Sequence, residues 1–123
     1  MIKGVHTMFH SSEPEALRAF LRDKLGFSTY SDVGGGWLIF DLPEADMGVH
    51  PSDERGEHGQ PAGTHDISFY CEDIQATVVE LRGRGVEFEG EVIDAGFGLA
   101  TRFTMPGGVR AQLYQPHYRK GAG

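Results

Sequence analysis

The sequence has few of the features that mark secreted or membrane-embedded chains. Cys71 is the single cysteine among 123 residues, so no internal disulfide can form and no secreted disulfide scaffold is indicated. No apolar run approaches the roughly 20 residues of a membrane-spanning helix. The first six residues also lack the apolar stretch of a signal peptide. We therefore expect a cytoplasmic protein with no membrane partner.

Positive charge is scarce as well. Eleven Lys and Arg residues stand against 18 Asp and Glu residues, which gives a net charge of −7. A nucleic-acid surface needs clustered Lys and Arg side chains, so the charge balance argues against a nucleic-acid partner. The length suits one domain, residues 1–123, that buries enough apolar surface to fold without metal or disulfides.

Glycine is abundant, and the chain resembles one unit written twice. Its 18 glycines are about twice the usual share, which indicates many tight turns between short strands. At an offset of 59 residues, His6 matches His65. At an offset of 60, Phe9 matches Phe69. The repeat predicts two modules, about 2–50 and 64–118, joined by a polar linker at 51–63.

Each module is predicted to contain one helix after its first strand. The first helix spans about 12–25, with Ser12 as N-cap, Glu15 reaching back to it and Gly26 ending it. The second spans about 73–84, with Asp73 as N-cap and Gly85 as its stop. The predicted strands make both modules β-α-β-β-β, at 5–10, 27–30, 37–41 and 47–50, and at 67–71, 86–93, 99–104 and 109–114.

This double module resembles the vicinal oxygen chelate superfamily of glyoxalases, bleomycin- and fosfomycin-resistance proteins and extradiol dioxygenases. The motifs that carry the resemblance are His6-Thr7-Met8-Phe9, Thr64-His65-Asp66-Ile67-Ser68-Phe69 and the closing run from Pro106 to Tyr114. The resemblance implies an α+β fold of two βαβββ modules forming a glyoxalase-like cup. One such scaffold serves many reactions, so it specifies the reaction poorly.

The resemblance also implies a divalent metal, held in the cup by the first and last strand of each module. Carried over by position, the ligands are His6, His50, a residue at 65 or 66, and Gln112. Two His and a carboxylate suit Zn, Fe, Mn or Ni. Gln112 stands where metal-bearing relatives usually have Glu, and its neutral amide predicts weaker binding. Plain hydrogen bonding across a wet pocket is the alternative role for His6, His50 and Gln112.

Strand alternation separates the faces of the second module's first strand. Ile67, Phe69 and Cys71 share the apolar face that should cover the helices, so Asp66, Ser68 and Tyr70 should line the cup. Alternation thus favours Asp66 as the ligand, whereas the repeat offset favours His65, which a bulge at the strand start would admit.

The remaining candidates surround this predicted metal. Asp66 and Tyr114 are the candidate catalytic residues, and either Asp66 or a metal-bound hydroxide would act as the general base. The predicted ligand pocket is completed by His10, Trp37, Ser68 and Tyr70.

Three functions fit these predictions. The first is a glyoxalase-like metal-dependent enzyme with isomerase, lyase or dioxygenase chemistry on a small oxygen-rich substrate. The second is a metal-free protein that binds or sequesters a small molecule, as bleomycin-resistance proteins do. The third is a regulatory module with a vestigial cup. We also expect a homodimer, because the apolar helix residues Leu17, Phe20 and Val78 would not all be covered within one chain.

Overall fold

The helices and strands alternate along the chain in a mixed α+β order. The computed structural model describes residues 1, 7–32, 38–41, 44–45, 52–55, 60–63 and 65–118. The first half contains helix α1, Pro14–Ala19, which continues as a π-helical turn, Phe20–Lys24, followed by strands β1, Ser28–Asp32, and β2, Leu38–Asp41. The second half contains β3, Ser68–Tyr70; α2, Ile74–Gly83; β4, Ile93–Asp94; β5, Gly98–Met105; and β6, Val109–Pro116.

The second half forms a four-stranded mixed sheet. Its strand order is β3-β6-β5-β4, with β3 parallel to β6 and the other neighbours antiparallel. Helix α2 connects β3 to the far edge, as a crossover between strands in one sheet requires. The segment at Glu87–Glu89 extends the β4 side of the sheet, since Glu89 N–H donates to the Arg102 carbonyl at 2.8 Å. This half is therefore a βαβββ unit, as predicted.

Both helices pack on one face of this sheet and build the core. Ile74, Val78 and Leu81 of α2 are buried, as their helical spacing predicts. They meet Phe103 of β5 and Leu113 of β6 in one apolar cluster. Leu17, Phe20 and Leu21 join the same cluster from the first half, so the two halves share a core.

That shared core corrects one prediction. Leu17, Phe20 and Val78 are covered within a single chain, at 4%, 7% and 4% exposure. The sequence alone could not show that α1 and α2 lie on the same apolar cluster. A homodimer stays a prediction, but uncovered helix faces no longer support it.

The helix ends follow the predictions in three places and depart in one. Asp73 caps α2, and its Oδ1 accepts from Ala76 N–H at 3.1 Å. Gly26 and Gly85 end the helical segments with φ of +76° and +90°. The predicted cap at Ser12 is wrong: the N-cap of α1 is Glu13, and Pro14 occupies the first turn. Ser11 Oγ instead accepts from Glu13 N–H at 3.0 Å, which starts the helix later.

In the first half the structure describes α1 and the antiparallel hairpin β1-β2. The predicted strands at 5–10 and 47–50 fall partly or wholly outside the described residues, and residues 7–10 lie outside any strand. Within the described ranges, no helix is long and apolar enough to cross a membrane.

Candidate functional site

The face of the second-half sheet opposite the helices is the candidate site. Side chains alternate along each strand. Phe69, Phe103 and Leu113 face the core, so the residues directly before and after each of them on its strand point to the opposite side. We call it the open face. The strand register arranges its side chains in two neighbouring rows, one polar and one aromatic.

The polar row crosses the middle of the sheet. Ser68 lies beside Gln112 in the parallel pair, and Gln112 lies opposite Arg102 in the antiparallel pair. The Gln112 amide nitrogen donates to Ser68 Oγ at 3.1 Å. The amide oxygen of Gln112 is then the atom that would accept a hydrogen bond or ligate a cation. Glu89 closes the row on the far side of Arg102.

The aromatic row lies two residues further along each strand. Tyr70 pairs with Tyr114, which lies opposite Ala100. Tyr114 is only 7% exposed, because other rings cover it. Its ring centroid is 6.2 Å from that of Tyr70, whose ring is tilted relative to it. The Phe97 ring meets Tyr114 edge to face, with the two centroids 5.5 Å apart. Its hydroxyl lies 3.2 Å from the hydroxyl of Tyr118.

The turn that carries Phe97 is held in place by several hydrogen bonds. Ala95 N–H donates to the Gly98 carbonyl at 2.8 Å, and His117 N–H donates to the Phe97 carbonyl at 2.9 Å. Asp94 Oδ1 accepts from Gly96 N–H at 2.9 Å and lies 3.3 Å from His117 Nε2. The Gly96 amide and then His117 lower the pKa of Asp94. These bonds fix the backbone of the turn that places Phe97 beside Tyr114.

Charged groups occupy the other end of the open face. Arg110 Nε donates to Glu89 Oε2 at 2.7 Å, and this bond lowers the pKa of Glu89 and raises that of Arg110. The side chain of Arg110 is 57% exposed and that of Glu89 is 35% exposed, so solvent screens the pair and its contribution to stability is small. The open face therefore changes from aromatic at one end to polar and charged at the other.

A cavity of about 560 Å³ lies at the charged edge of the sheet, away from the aromatic row. Phe20 and Lys24 of the π-helical turn line one wall, and the turn Pro106–Gly108 lines another. None of the predicted site residues that the structure describes contributes to its walls. Its lining mixes both charge signs, with Glu87 and Arg110 among them.

The predicted site residues fall into four groups. The structure brings Ser68, Tyr70, Gln112 and Tyr114 together on the open face. His65 and Asp66 are both exposed and precede β3, so the choice between them stays open. His10 is exposed, and no described contact joins it to the open face. The remaining three candidates lie outside the described residues: His6, Trp37 and His50.

The predicted metal depends on donors that the structure describes only in part. Gln112 offers one neutral oxygen and Asp66 one carboxylate. Among the described residues, no three His, Cys, Asp or Glu side chains are grouped so that they could hold an ion. The described donors do not make a metal site by themselves, and the metal hypothesis requires His6 and His50.

Cys71 is not a nucleophile candidate. It packs against the core, and its Sγ lies 3.7 Å from the Tyr114 carbonyl. Burial raises the pKa of the thiol, which keeps it protonated and unreactive at neutral pH. The sequence assignment of Cys71 to the helix-facing side agrees with this placement.

Sequence reasoning missed three residues of the open face. Phe97 lies between Gly96 and Gly98, outside the predicted strands at 86–93 and 99–104. Tyr118 follows the last predicted strand. Arg102 sits inside the strand predicted at 99–104, and alternation against an apolar Phe103 would have placed it on the open face.

Comparison with known proteins relates this arrangement to one superfamily. The family model described as Glyoxalase/Bleomycin resistance protein/Dioxygenase superfamily matches residues 4–113. A solved member of that superfamily from Sphaerobacter thermophilus DSM 20745 is 27% identical, with a TM-score of 0.60, and the match covers 92% of this chain and 97% of that one. No curated protein gave a significant sequence match.

Two further solved structures share the fold. TnmS3, an antibiotic binding protein from Streptomyces sp. CB03234, is 24% identical, with a TM-score of 0.62 and coverage of 86% of this chain and 88% of its own. Lactoylglutathione lyase from Agrobacterium tumefaciens is 14% identical, with a TM-score of 0.61 and coverage of 88% and 89%. The shared fold thus includes one binding protein and one enzyme.

Proposed function

Because the chain belongs to the glyoxalase/bleomycin resistance protein/dioxygenase superfamily, we propose that it binds a small aromatic molecule on the open face of its second-half sheet. The observation that supports this proposal is the cluster of four aromatic side chains beside the polar row: Tyr70, Phe97, Tyr114 and Tyr118. A largely apolar surface with a few placed polar groups is the usual composition of a small-molecule site.

The cluster contains both a buried ring and exposed rings. Tyr114 is buried beneath its neighbours, whereas Phe97 and Tyr118 keep 43% and 48% of their surface exposed. A flat ligand placed against Phe97 and Tyr118 would gain apolar burial and ring-edge contacts worth about 0.5–1.5 kcal/mol per aromatic pair. Ser68 and Gln112, one row away, would orient the ligand through hydrogen bonds. The fold's occurrence in an antibiotic binding protein is consistent with this function.

A metal-dependent enzyme is the second candidate function, and the position of Gln112 on the open face favours it. His6, His50, Asp66 and Gln112 are the residues that would hold a divalent ion, which would polarise a substrate oxygen as a Lewis acid. Asp66 would then be the group that accepts a substrate proton, and the hydroxyl pair Tyr114–Tyr118 would hydrogen-bond the product oxygen.

Calorimetric titration with naphthamide, a neutral aromatic probe, tests the first proposal. Wild type is compared with Phe97→Ala, which removes an exposed ring of the cluster. Val79→Ala is the matched control, because Val79 is a 71% exposed apolar residue on α2. We expect Phe97→Ala to weaken binding about tenfold, by roughly 1.4 kcal/mol, and Val79→Ala to bind like wild type. Equal affinity in both variants would refute the proposal.

A further inference from the structure

The polar row contains one cationic side chain to which the proposed function assigns no role. Arg102 is exposed on β5, directly opposite Gln112. No ion pair of the described residues includes Arg102. The neighbouring carboxylate of Glu89 is bonded to Arg110 at 2.7 Å instead. The charge of Arg102 also lowers the pKa of Glu89, but no described hydrogen bond uses the Arg102 guanidinium, so its N–H groups can donate to a ligand on the open face.

The distance from this guanidinium to the ring cluster suits a small ligand. Tyr114 follows Gln112 by two residues on β6, and Ala100 precedes Arg102 by two on β5. Same-face neighbours on a strand are about 7 Å apart. Ala100 adds no bulk between the rings and Arg102. A molecule about as long as one fused ring system with a substituent would therefore span from the row of Tyr114 and Ala100 to the row of Gln112 and Arg102.

The chemistry of the two rows selects the substituent. A guanidinium beside the Gln112 amide favours an acidic oxygen, because that amide has a second N–H besides the one that it donates to Ser68 Oγ and because charge-assisted hydrogen bonds are about twice as strong as neutral ones. The whole chain carries a net charge of −7, so its overall electrostatic field would repel an anion. Preference for an acidic ligand would have to arise locally.

We propose that the open face selects aromatic ligands bearing a carboxylate or similarly acidic oxygen, with the ring on the exposed edge of the ring cluster and the acidic group on Arg102 and Gln112. This inference rests on the proposed function, since it requires the ring cluster to be the binding surface. Arg102 is the residue that determines specificity.

The test uses three probes with one ring system: naphthoate, naphthamide and naphthylmethylamine. Each is titrated into wild type, Arg102→Gln and Arg22→Gln. The last variant makes the same charge change at an exposed residue of the π-helical turn, whose partner is its neighbour Asp23 at 2.8 Å. We expect wild type to bind naphthoate about tenfold more tightly than naphthamide, and the amine most weakly. Arg102→Gln should remove the preference, and Arg22→Gln should keep it.

The outcomes separate the two proposals. If the probes bind but naphthoate has no advantage, or keeps it in Arg102→Gln, the acidic preference is wrong while the aromatic site stands. If none of the three probes binds wild type, the proposed function itself is wrong, and the preference fails with it.

Discussion

The turn Pro106–Gly108 holds the first half against the second, and alanine at Gly107 should destabilise the protein more than alanine at Gly108. Ser12 N–H donates to the Gly107 carbonyl at 3.2 Å, and Ser11 Oγ donates to the Pro106 carbonyl at 2.8 Å. Gly107 N–H donates to Glu13 Oε2 at 3.1 Å. Three hydrogen bonds therefore join this turn to the residues that start α1.

The two glycines share one conformation but differ in their surroundings. Their φ angles are +87° and +79°, so alanine at either position carries a left-handed penalty of about 1 kcal/mol. A Cβ on Gly107 would overlap Ser11 Oγ and lie 2.7 Å from Glu13 N, whereas a Cβ on Gly108 would meet no described atom within 4 Å. Loss of unfolded-chain entropy affects both variants equally and cancels.

Relieving the overlap in Gly107→Ala requires the turn and the start of α1 to separate. That movement weakens up to three hydrogen bonds of about 1 kcal/mol each, less for the exposed Glu13 contact. We expect Gly107→Ala to be about 2 kcal/mol less stable than Gly108→Ala, a difference of about 8 °C in Tm for a domain of this size. Urea unfolding followed by circular dichroism measures it. Equal stability of the two variants would refute the packing argument.

Four further predictions follow from individual contacts. Asp73→Ala should lower the free energy of unfolding by about 1 kcal/mol, because α2 loses its cap, while Ser12→Ala should lower it much less. Urea unfolding measures both values, and equal losses would contradict the assignment of the cap. Arg110 lowers the pKa of Glu89 below its ordinary 4.5, so the pair stabilises the fold above pH 4.5. This stabilisation is lost as the pH falls through the lowered pKa that Glu89 has in the folded protein. Thermal unfolding between about pH 5 and 3 should therefore show a smaller loss for Glu89→Gln than for wild type or Glu91→Gln, and parallel curves would count against it. Cys71 should react with iodoacetamide at neutral pH far more slowly in the native protein than in urea, and equal rates would contradict its burial. If a divalent metal is held, His6→Ala should remove most of it, as elemental analysis measures, while His58→Ala in the predicted linker should not; metal retained in His6→Ala would exclude His6 as a ligand.

The second module could be predicted in some detail because its signals are local. An N-cap aspartate, a stripe at Ile74, Val78 and Leu81, and a glycine stop define α2 without reference to the rest of the chain. Alternation along β3 and β6 likewise places Ser68 and Tyr70 beside Gln112 and Tyr114. Periodicity is enough to predict an element and its buried face wherever only one face of that element is buried.

Features that depend on contacts between distant residues could not be predicted in this way. The late start of α1 follows from its contacts with Pro106 and Gly107, which are more than 90 residues away in sequence. Phe97 joins the site because a glycine-flanked turn folds back over Tyr114. Arg102 was accessible to alternation, but a lone cation in a strand gives no sign of function until its neighbours are known.

The location of the bound probe tests the account most directly. Amide chemical shifts of labelled protein, followed during titration with naphthamide, report which residues the ring contacts. We predict the largest changes at Tyr70, Phe97, Gly98 and Tyr114, with small changes at the opposite edge of the sheet. Changes concentrated at Gly85, Gly107 and Gly108, which line the cavity beside α1, would contradict the assignment of the open face as the binding surface.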